Sequence, residues 1–417
     1  MNSNGRKDQE TNQRRGADHA VMRELNRSLV LDLLKQNSPI SRAAIAKLTA
    51  LAKPTVSTIV DDLVSEGLVR EIGVGKTRSI GGRPPILLEF NERSHFLIGV
   101  EIGVKHSTIA LADAQGAELA RSELVMSPTK PAETLRTIAN EIRRTMRGAG
   151  APLGRLAAIG IVVPGLVDAN TATCLLAPNI GWHDVPVRDL LARSFQRVPI
   201  FVHNTVDPAN VAESLEGAGE GTGDIAMLWA STGVGAGLLF NGRVFGGHGG
   251  ISGEIGHCYV PGGTERCNCG KIGCLETIAS GPSVARAAKQ AIKAGRKTSL
   301  KGKRQLTSVE VAAAAAEGDA LALEVLADAG SALGIAASWM VNLFNPELVL
   351  IGGGLSGAGE PLIGPLEAAL RKHALPQAME RVIGVRTASL GGDAAVRGAV
   401  LLARQQSESY YRVVFQV

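Results

Sequence analysis

Three things are scarce in this chain. Phe, Trp and Tyr make up only 3% of its 417 residues, whereas glycine alone numbers 50. That balance suits an α/β protein rich in glycine turns. Long apolar runs are scarce too: nothing approaches about 18 uncharged apolar residues, which argues against a membrane span. No signal peptide opens the sequence, so a reducing cytoplasm is the expected compartment. Cysteine is the third scarcity, with five in all, yet Cys267, Cys269 and Cys274 fall within eight positions.

Those cysteines belong to a run from Gly253 to Glu276, GEIGHCYVPGGTERCNCGKIGCLE, with a histidine inside it and glutamates on both flanks. His257, Cys267, Cys269 and Cys274 offer one imidazole and three thiols, a set that can close tetrahedrally on zinc. Four protein ligands leave no open position, so such an ion is structural. It would hold the carboxylates of Glu254 and Glu276 in one neighbourhood. Plain buried thiols or a disulfide are the alternatives, and Cys258 shows that not every thiol here need be a ligand. The glycines among the cysteines favour a knuckle of backbone around an ion.

At this length two or three domains are expected. The formal net charge is +5, and residues 1–90 hold 14 Lys/Arg against 10 Asp/Glu. An anionic partner fits that end, as does a plain solvated surface. Residues 1–20 are polar and aperiodic, a predicted disordered tail. Residues 21–90 follow a winged helix-turn-helix layout. Leu29, Val30, Leu33 and Leu34 mark a first helix, Ser41 caps a second, and a third opens at Lys53-Pro54 with Val56, Ile59, Val60 and Leu63 on one face. Strands near 68–72 and 86–90 flank a basic turn, the wing. Lys53, Thr55, Ser57 and Thr58 near the start of the third helix, with Ser41 and Arg42 at the second, are the candidate DNA contacts. A plain solvated helix face is the alternative. Arg83 in GGRPP is set for a narrow minor groove, or belongs simply to a domain linker.

Residues 91–417 alternate strands and helices, which predicts a two-lobed α/β fold. Strands are expected at 156–163, 198–202, 225–230 and 348–351, and helices at 132–146, 308–329 and 332–343. Two glycine clusters follow strands: the one from Ser231 through Thr232, Gly233 and Gly235 to Gly237, and the one formed by Gly352, Gly353 and Gly354. Either can cradle a phosphate, and either alone is as well explained by a tight turn.

VPGLVD at 163–168, APNIGW at 177–182, STGVGAGLLFNG from Ser231, GEIGH from Gly253, CNCGKIGCLE from Cys267 and the turn at Gly352 together resemble the ROK family of sugar kinases and sugar-responsive repressors. The winged helix in front resembles its repressor branch. The resemblance implies a sugar-kinase-like domain of actin/hexokinase type, with zinc on the histidine and three cysteines and with Glu254, His257 and Glu276 lining a sugar site. Asn204, Asn179 and Gly165 are expected to join them, Gly250 allowing close backbone approach. In the family's active kinases an Asn-Asp pair follows a strand, and the Asp takes the proton from the attacking sugar hydroxyl. Here Asn204 is followed by Thr205, whose hydroxyl has no useful basicity near neutral pH. Asp207 would share Thr205's face if the strand continued, about 6 to 7 Å along the chain. The kinases' D-x-G-G-T-K is replaced by Glu101-Ile102-Gly103-Val104-Lys105-His106. Thr232, Gly233, Gly235, Gly352 and Gly353 then read as vestigial nucleotide loops.

The expected protein is a cytoplasmic homodimer or higher oligomer without a catalytic residue. It binds an inverted-repeat DNA operator, carries structural zinc, and answers to a sugar that it does not phosphorylate. An ATP-dependent sugar kinase with an appended DNA-binding domain remains open. So does a regulator that senses a protein partner from a sugar transport system.

Overall fold

In the computed structural model the described residues are 22–75 and 84–414, with side chains described as far as Ser407. The first 20 residues and Arg83 lie outside them. The chain divides into two compact units, Met1–Phe96 with Ala112–Ala117 and Ser407–Val417, and Leu97–Leu111 with Glu118–Gln406.

In the first unit, helix α1 spans residues 22–37. Strand β1 (Ile40–Ser41) leads into α2 (Arg42–Thr49), where Ser41 Oγ accepts from Ala44 N at 3.3 Å, the cap expected from sequence. Ala50, in the left-handed region at φ 58°, closes α2. Helix α3 (Lys53–Ser65) then starts with Pro54 in its first turn, where a missing N–H is harmless. Strands β2 (Val69–Val74) and β3 (Ile86–Phe90) pair antiparallel, and β1 adds to β3. Val30, Leu34, Ile45, Val56, Leu63 and Leu88 draw all these elements into one core. Each such side chain, fully buried, contributes about 1.5 to 3 kcal/mol.

The larger unit is built on two five-stranded sheets. The first runs β11-β7-β4-β5-β6, from β4 (Phe96–Ile102), β5 (His106–Asp113), β6 (Glu118–Val125), β7 (Leu156–Val162) and β11 (Ile200–His203). Beside it pack α4 (Pro131–Gly148), α5 (Val187–Ala192) and a small antiparallel sheet of β8 (Leu166–Asp168), β9 (Thr173–Ala177) and β10 (Trp182–Pro186). The second sheet runs β14-β13-β12-β15-β16, from β12 (Ile225–Ala230), β13 (Val234–Phe240), β14 (Arg243–Val244), β15 (Leu348–Gly352) and β16 (Gly384–Thr387). Between the sheets lie α6 (Val206–Glu216) and α13 (Ala394–Val414). A Cβ at Gly99 of β4 or Gly160 of β7 would fall 2.6 or 2.1 Å from a carbonyl oxygen of α13, and one at Gly398 would fall 1.8 Å from Pro208 O of α6. Backbone therefore lies directly on backbone at this crossing. The two-lobed architecture expected from strand and helix alternation is the one observed.

The remaining helices are α7 (Glu276–Ala279), α8 (Gly281–Lys293), α9 (Ser308–Ala316), α10 (Ala320–Phe344), α11 (Glu360–His373) and α12 (Pro376–Met379). Here the structure corrects the sequence reading of helices at 308–329 and 332–343. The break comes at Gly318, φ 84°, and Asp319 Oδ1 then caps α10 by accepting from Ala322 N at 3.0 Å. Gly330, at the expected gap, lies inside α10, where α11 packs so close that a Cβ would meet Leu362 O at 2.3 Å. Among the described residues α10 is long and apolar enough to cross a membrane, but it carries Glu324 and Asp328 and buries Leu326, Leu333, Ala336 and Met340 in the largest core cluster.

Candidate functional site

The segment after β14 folds back on itself. Val260 N bonds Gly273 O at 2.9 Å and Cys267 N bonds Lys271 O at 2.8 Å, a narrow ladder closed by a turn at Gly270, φ 91°. This brings His257, Cys267, Cys269 and Cys274 together, with one ligand atom from each inside 4.8 Å of all the others. Cys267 Sγ lies 3.7 Å from His257 Nδ1, and Cys269 Sγ lies 3.6 Å from Cys274 Sγ. Tetrahedral zinc with bonds of about 2.0 to 2.3 Å requires ligand–ligand edges of about 3.5 to 3.8 Å. Burial, reinforced by the neighbouring sulfurs, pushes the Cys274 thiol up to about 12 and also raises Cys267. Thiolates so placed need a cation beside them, and the four donors can hold a metal ion.

His257 turns its other nitrogen away from the sulfurs. Nε2 lies 3.9 Å from Glu254 Oε2. Glu276 reaches in from the start of α7, its Oε2 accepting from Val234 N at 3.1 Å and its Oε1 3.8 Å from Cys267 Sγ. Room for that carboxylate depends on Gly233, where a Cβ would stand 2.5 Å from Oε2. Burial raises Glu254, with Glu276 reinforcing and His257 opposing. Asp207, only 6% exposed, is pushed up to about 7 by burial and by Glu254, against the Asn204 side chain. Asn204 Oδ1 accepts from Val206 N at 2.9 Å and Asp207 N at 3.0 Å, so the amide expected to meet a sugar also starts α6. Glu254, His257, Glu276, Asp207 and Asn204 thus form one chain of neighbours. Asn179, exposed on the turn between β9 and β10, and Gly165, held against Leu176 O, take no part in its contacts. Gly250, φ 77°, stands against Ala169.

The reading of Asp207 as a strand continuation is corrected. Thr205 is the N-cap residue of α6 and Asp207 lies in its first turn. Residues two apart on a helix point about 200° from one another, so Asp207 does not share Thr205's face. It faces β13 instead, close to Gly237. That contact, absent from the sequence reading, is signalled only by the acid standing in an otherwise small and apolar first turn.

The glycine clusters are also narrower than expected. Ser231 to Gly233 is the turn of the β12–β13 hairpin, Ser231 N donating to Gly233 O at 2.8 Å, and Thr232 is exposed at its tip. Gly235 sits within β13 against Val206, and Gly352 is the last residue of β15. Because β12 and β15 are parallel neighbours, Gly353, φ 86°, and Gly354 arrive beside Ala230 and Ser231. In the first sheet, Glu101 is pushed up to about 7 by burial and by Asp393, against the pull of Arg121, whose guanidinium bridges Glu118 and Asp393.

In the smaller unit the start of α3 leaves Lys53, Thr55 and Thr58 exposed and Ser57 half-buried, although Thr58 Oγ1 donates to Pro54 O at 3.1 Å. Arg42 is engaged by Asp61 at 2.7 Å and Glu71 at 3.0 Å, tying α2 to α3 and β2. Ser41 is occupied by its cap.

Residues 97–406 match the model of the ROK family, and residues 24–70 match that of a winged helix-turn-helix DNA-binding domain. The chain belongs to the ROK family. Its ROK relatives include regulators and kinases. A xylose repressor of Caldicellulosiruptor bescii is 32% identical over 360 residues, which is 85% of this chain and 90% of the repressor. A glucokinase of Halalkalibacterium halodurans is 34% identical over 318 residues, 75% of this chain and 96% of the kinase. The crystal structure of a ROK family transcriptional regulator, a homolog of the E. coli MLC protein, superposes with a TM-score of 0.80 at 29% identity, covering 93% of this chain and 96% of that one. The regulators therefore align over more of this ROK chain than the glucokinase does. Both the family resemblance and the two-part fold read from the motifs are borne out.

Proposed function

We propose that this protein is a sugar-responsive transcriptional repressor whose kinase-like unit binds its effector without phosphorylating it. One observation carries the reading: a single chain joins a winged helix with an exposed α3 start to a ROK unit in which Glu254 and Glu276 gather around His257. Glu254, His257 Nε2 and Glu276 present acceptors and a donor at spacings suited to sugar hydroxyls, with Asn204, Asn179 and Gly165 as outlying candidates. Zinc on His257 Nδ1, Cys267, Cys269 and Cys274 would hold the imidazole and the Glu276 segment in place as a purely structural ion. Operator contacts are assigned to Lys53, Thr55, Ser57 and Thr58 on α3, with Arg83 in support, while Ser41 and Arg42, held by the α2 cap and by Asp61 and Glu71, would position α2 and α3. As a homodimer the protein would read an inverted repeat with half-sites related by its two-fold axis, and reduced thiols with a DNA target suit the cytoplasm.

Thr205 argues against phosphoryl transfer because its hydroxyl is no base, and Asp207, in the first turn of α6, does not share its face. Glu101, raised toward neutrality and already beside a guanidinium, is a poor ligand for a metal nucleotide. A kinase with an appended DNA-binding unit is favoured by one observation, the adjacency of the Ser231 and Gly353 turns. Selecting bound duplexes from a random pool, then titrating the complex with hexoses, pentoses and amino sugars, tests the main reading. The expected result is an enriched inverted repeat whose affinity one sugar changes at least about tenfold, a coupling near 1.4 kcal/mol. Turnover near 1 per second in a coupled assay, the low end for enzymes, would replace it with the kinase.

A further inference from the structure

The densest positive charge in the chain is not in the winged helix. Between Thr277 and Val309 there are eight Lys/Arg and no Asp/Glu, so this segment holds +8 of a total of +5 and the remainder of the chain carries −3. Two of the eight are engaged: Arg286 donates to Thr277 O, and Arg296 is bidentate on Glu324 at 2.6 and 3.2 Å. The other six, Lys289, Lys293, Lys297, Lys301, Lys303 and Arg304, are all exposed.

These cations sit on an ordered support. Lys289 and Lys293 are one turn apart on α8. The segment that follows is pinned to the core by Leu300 and Leu306, both buried. It is pinned again by Asp319 Oδ2, which accepts from Ser299 N at 2.7 Å and from the Thr298 and Ser299 hydroxyls at 2.9 Å each. Three nearby acids are thereby used, Asp319 by those donors and the α10 cap, Glu324 by Arg296, and Glu310 by the capping box of Thr307 with Lys303 close to it, while Glu265 and Asp328 lie beside Arg286 and Gln290 of α8.

We infer that the α8–α9 segment is an auxiliary DNA-backbone surface on the ROK unit, touching phosphates without reading sequence. The inference rests on the repressor reading, which makes a polyanionic duplex the resident ligand. Five of the six cations are lysines, compact point charges suited to a row of phosphates and not to bidentate recognition of one group. A small anion satisfies one or two such charges, whereas a duplex presents one phosphate about every 1.7 Å of axis.

The test uses the full-length chain carrying Lys297→Gln, Lys301→Gln, Lys303→Gln and Arg304→Gln together, with a random-sequence duplex of about 40 base pairs read by anisotropy from about 50 to 200 mM salt. Every cation withdrawn from a phosphate reduces the magnitude of the slope of log K against log salt by about 0.9, so with all four engaged a drop of about 3 to 4 is expected, with sugar-shifted melting unchanged. A slope equal to that of the wild type overturns the inference alone. Failure of the wild-type chain to bind any duplex overturns the repressor reading with it. Phosphatidylserine vesicles bound by the wild type and released by the variant, at equal duplex slopes, would assign the surface to a membrane and overturn the proposal.

Discussion

Gly233→Ala separates two accounts of one glycine. Its backbone is not left-handed, so alanine brings no dihedral strain, only a methyl group placed 2.5 Å from Glu276 Oε2. The carboxylate must withdraw, losing its bond from Val234 N at 3.1 Å and shifting relative to Glu254 and His257, the proposed sugar-binding groups. A hydrogen bond to a charged group is worth about 1.5 to 3 kcal/mol, and each 1.4 kcal/mol is tenfold in affinity. Sugar binding should therefore weaken by about 10- to 100-fold, read by calorimetry with the sugar that shifts melting most. Zinc content should stay at the wild-type level, because no sulfur ligand moves. A phosphate-cradling role for Gly233 makes the opposite forecast, intact sugar affinity and abolished nucleotide affinity. Sugar affinity within about threefold of wild type would refute the assignment of this glycine to Glu276.

Lys53→Ala should weaken duplex binding evenly across sequences and reduce the salt slope by about 1; an unchanged slope removes Lys53 from the interface. Cys269→Ser should lower zinc stoichiometry by elemental analysis and cost more than the about 10- to 100-fold in metal affinity typical of substitutions behind a ligand, so full retention of zinc would dismiss the four-donor site. Folding holds the Asp207 carboxyl protonated up to about 7 against an unfolded value of 3.8, so its raised pKa stabilises the protein most at low pH and that contribution is lost as pH rises through about 7. Asp207→Asn should flatten the decline by about 2 to 4 kcal/mol, and melting curves that fall in parallel for both proteins between pH 5 and 8 would rule this out. Glu213, fully buried, accepts from Ala218 N at 2.8 Å, Leu390 N at 2.6 Å and Ser389 Oγ at 3.0 Å; Glu213→Ala leaves these donors unsatisfied at about 1 to 3 kcal/mol each and should cost at least about 2 kcal/mol in chemical denaturation, a loss under about 1 kcal/mol refuting it.

The four candidate metal ligands were legible because all lie within 18 positions and a knuckle is a local structure. The α2 cap and the proline at the start of α3 were legible for the same reason. What the sequence hid depends on contacts between distant segments. Glu276 meets Val234 across 42 positions, and only that meeting explains Gly233. The α9–α10 break was misplaced because Gly330 looks like a stop until α11 is laid against it. Asp207 was aimed wrongly because a strand and a helix place residues two apart on opposite sides of the question, and the chain switches between them at Asn204. The charge of residues 1–90 falls on a DNA-binding layout, whereas the larger excess after Thr277 lies inside a kinase-like fold, where sequence pattern offers it no partner.

The crossing of α13 over Gly99 and Gly160, with its own Gly398 against Pro208 of α6, has a mechanical meaning. Side chains that interlock can change rotamers and let two elements slide from one seat to the next. Peptide groups pressed together have no rotamers to change, so translation there is blocked by hard contact. A sugar that favoured one arrangement of the lobes would then have to act by pivoting at this contact and not by sliding across it.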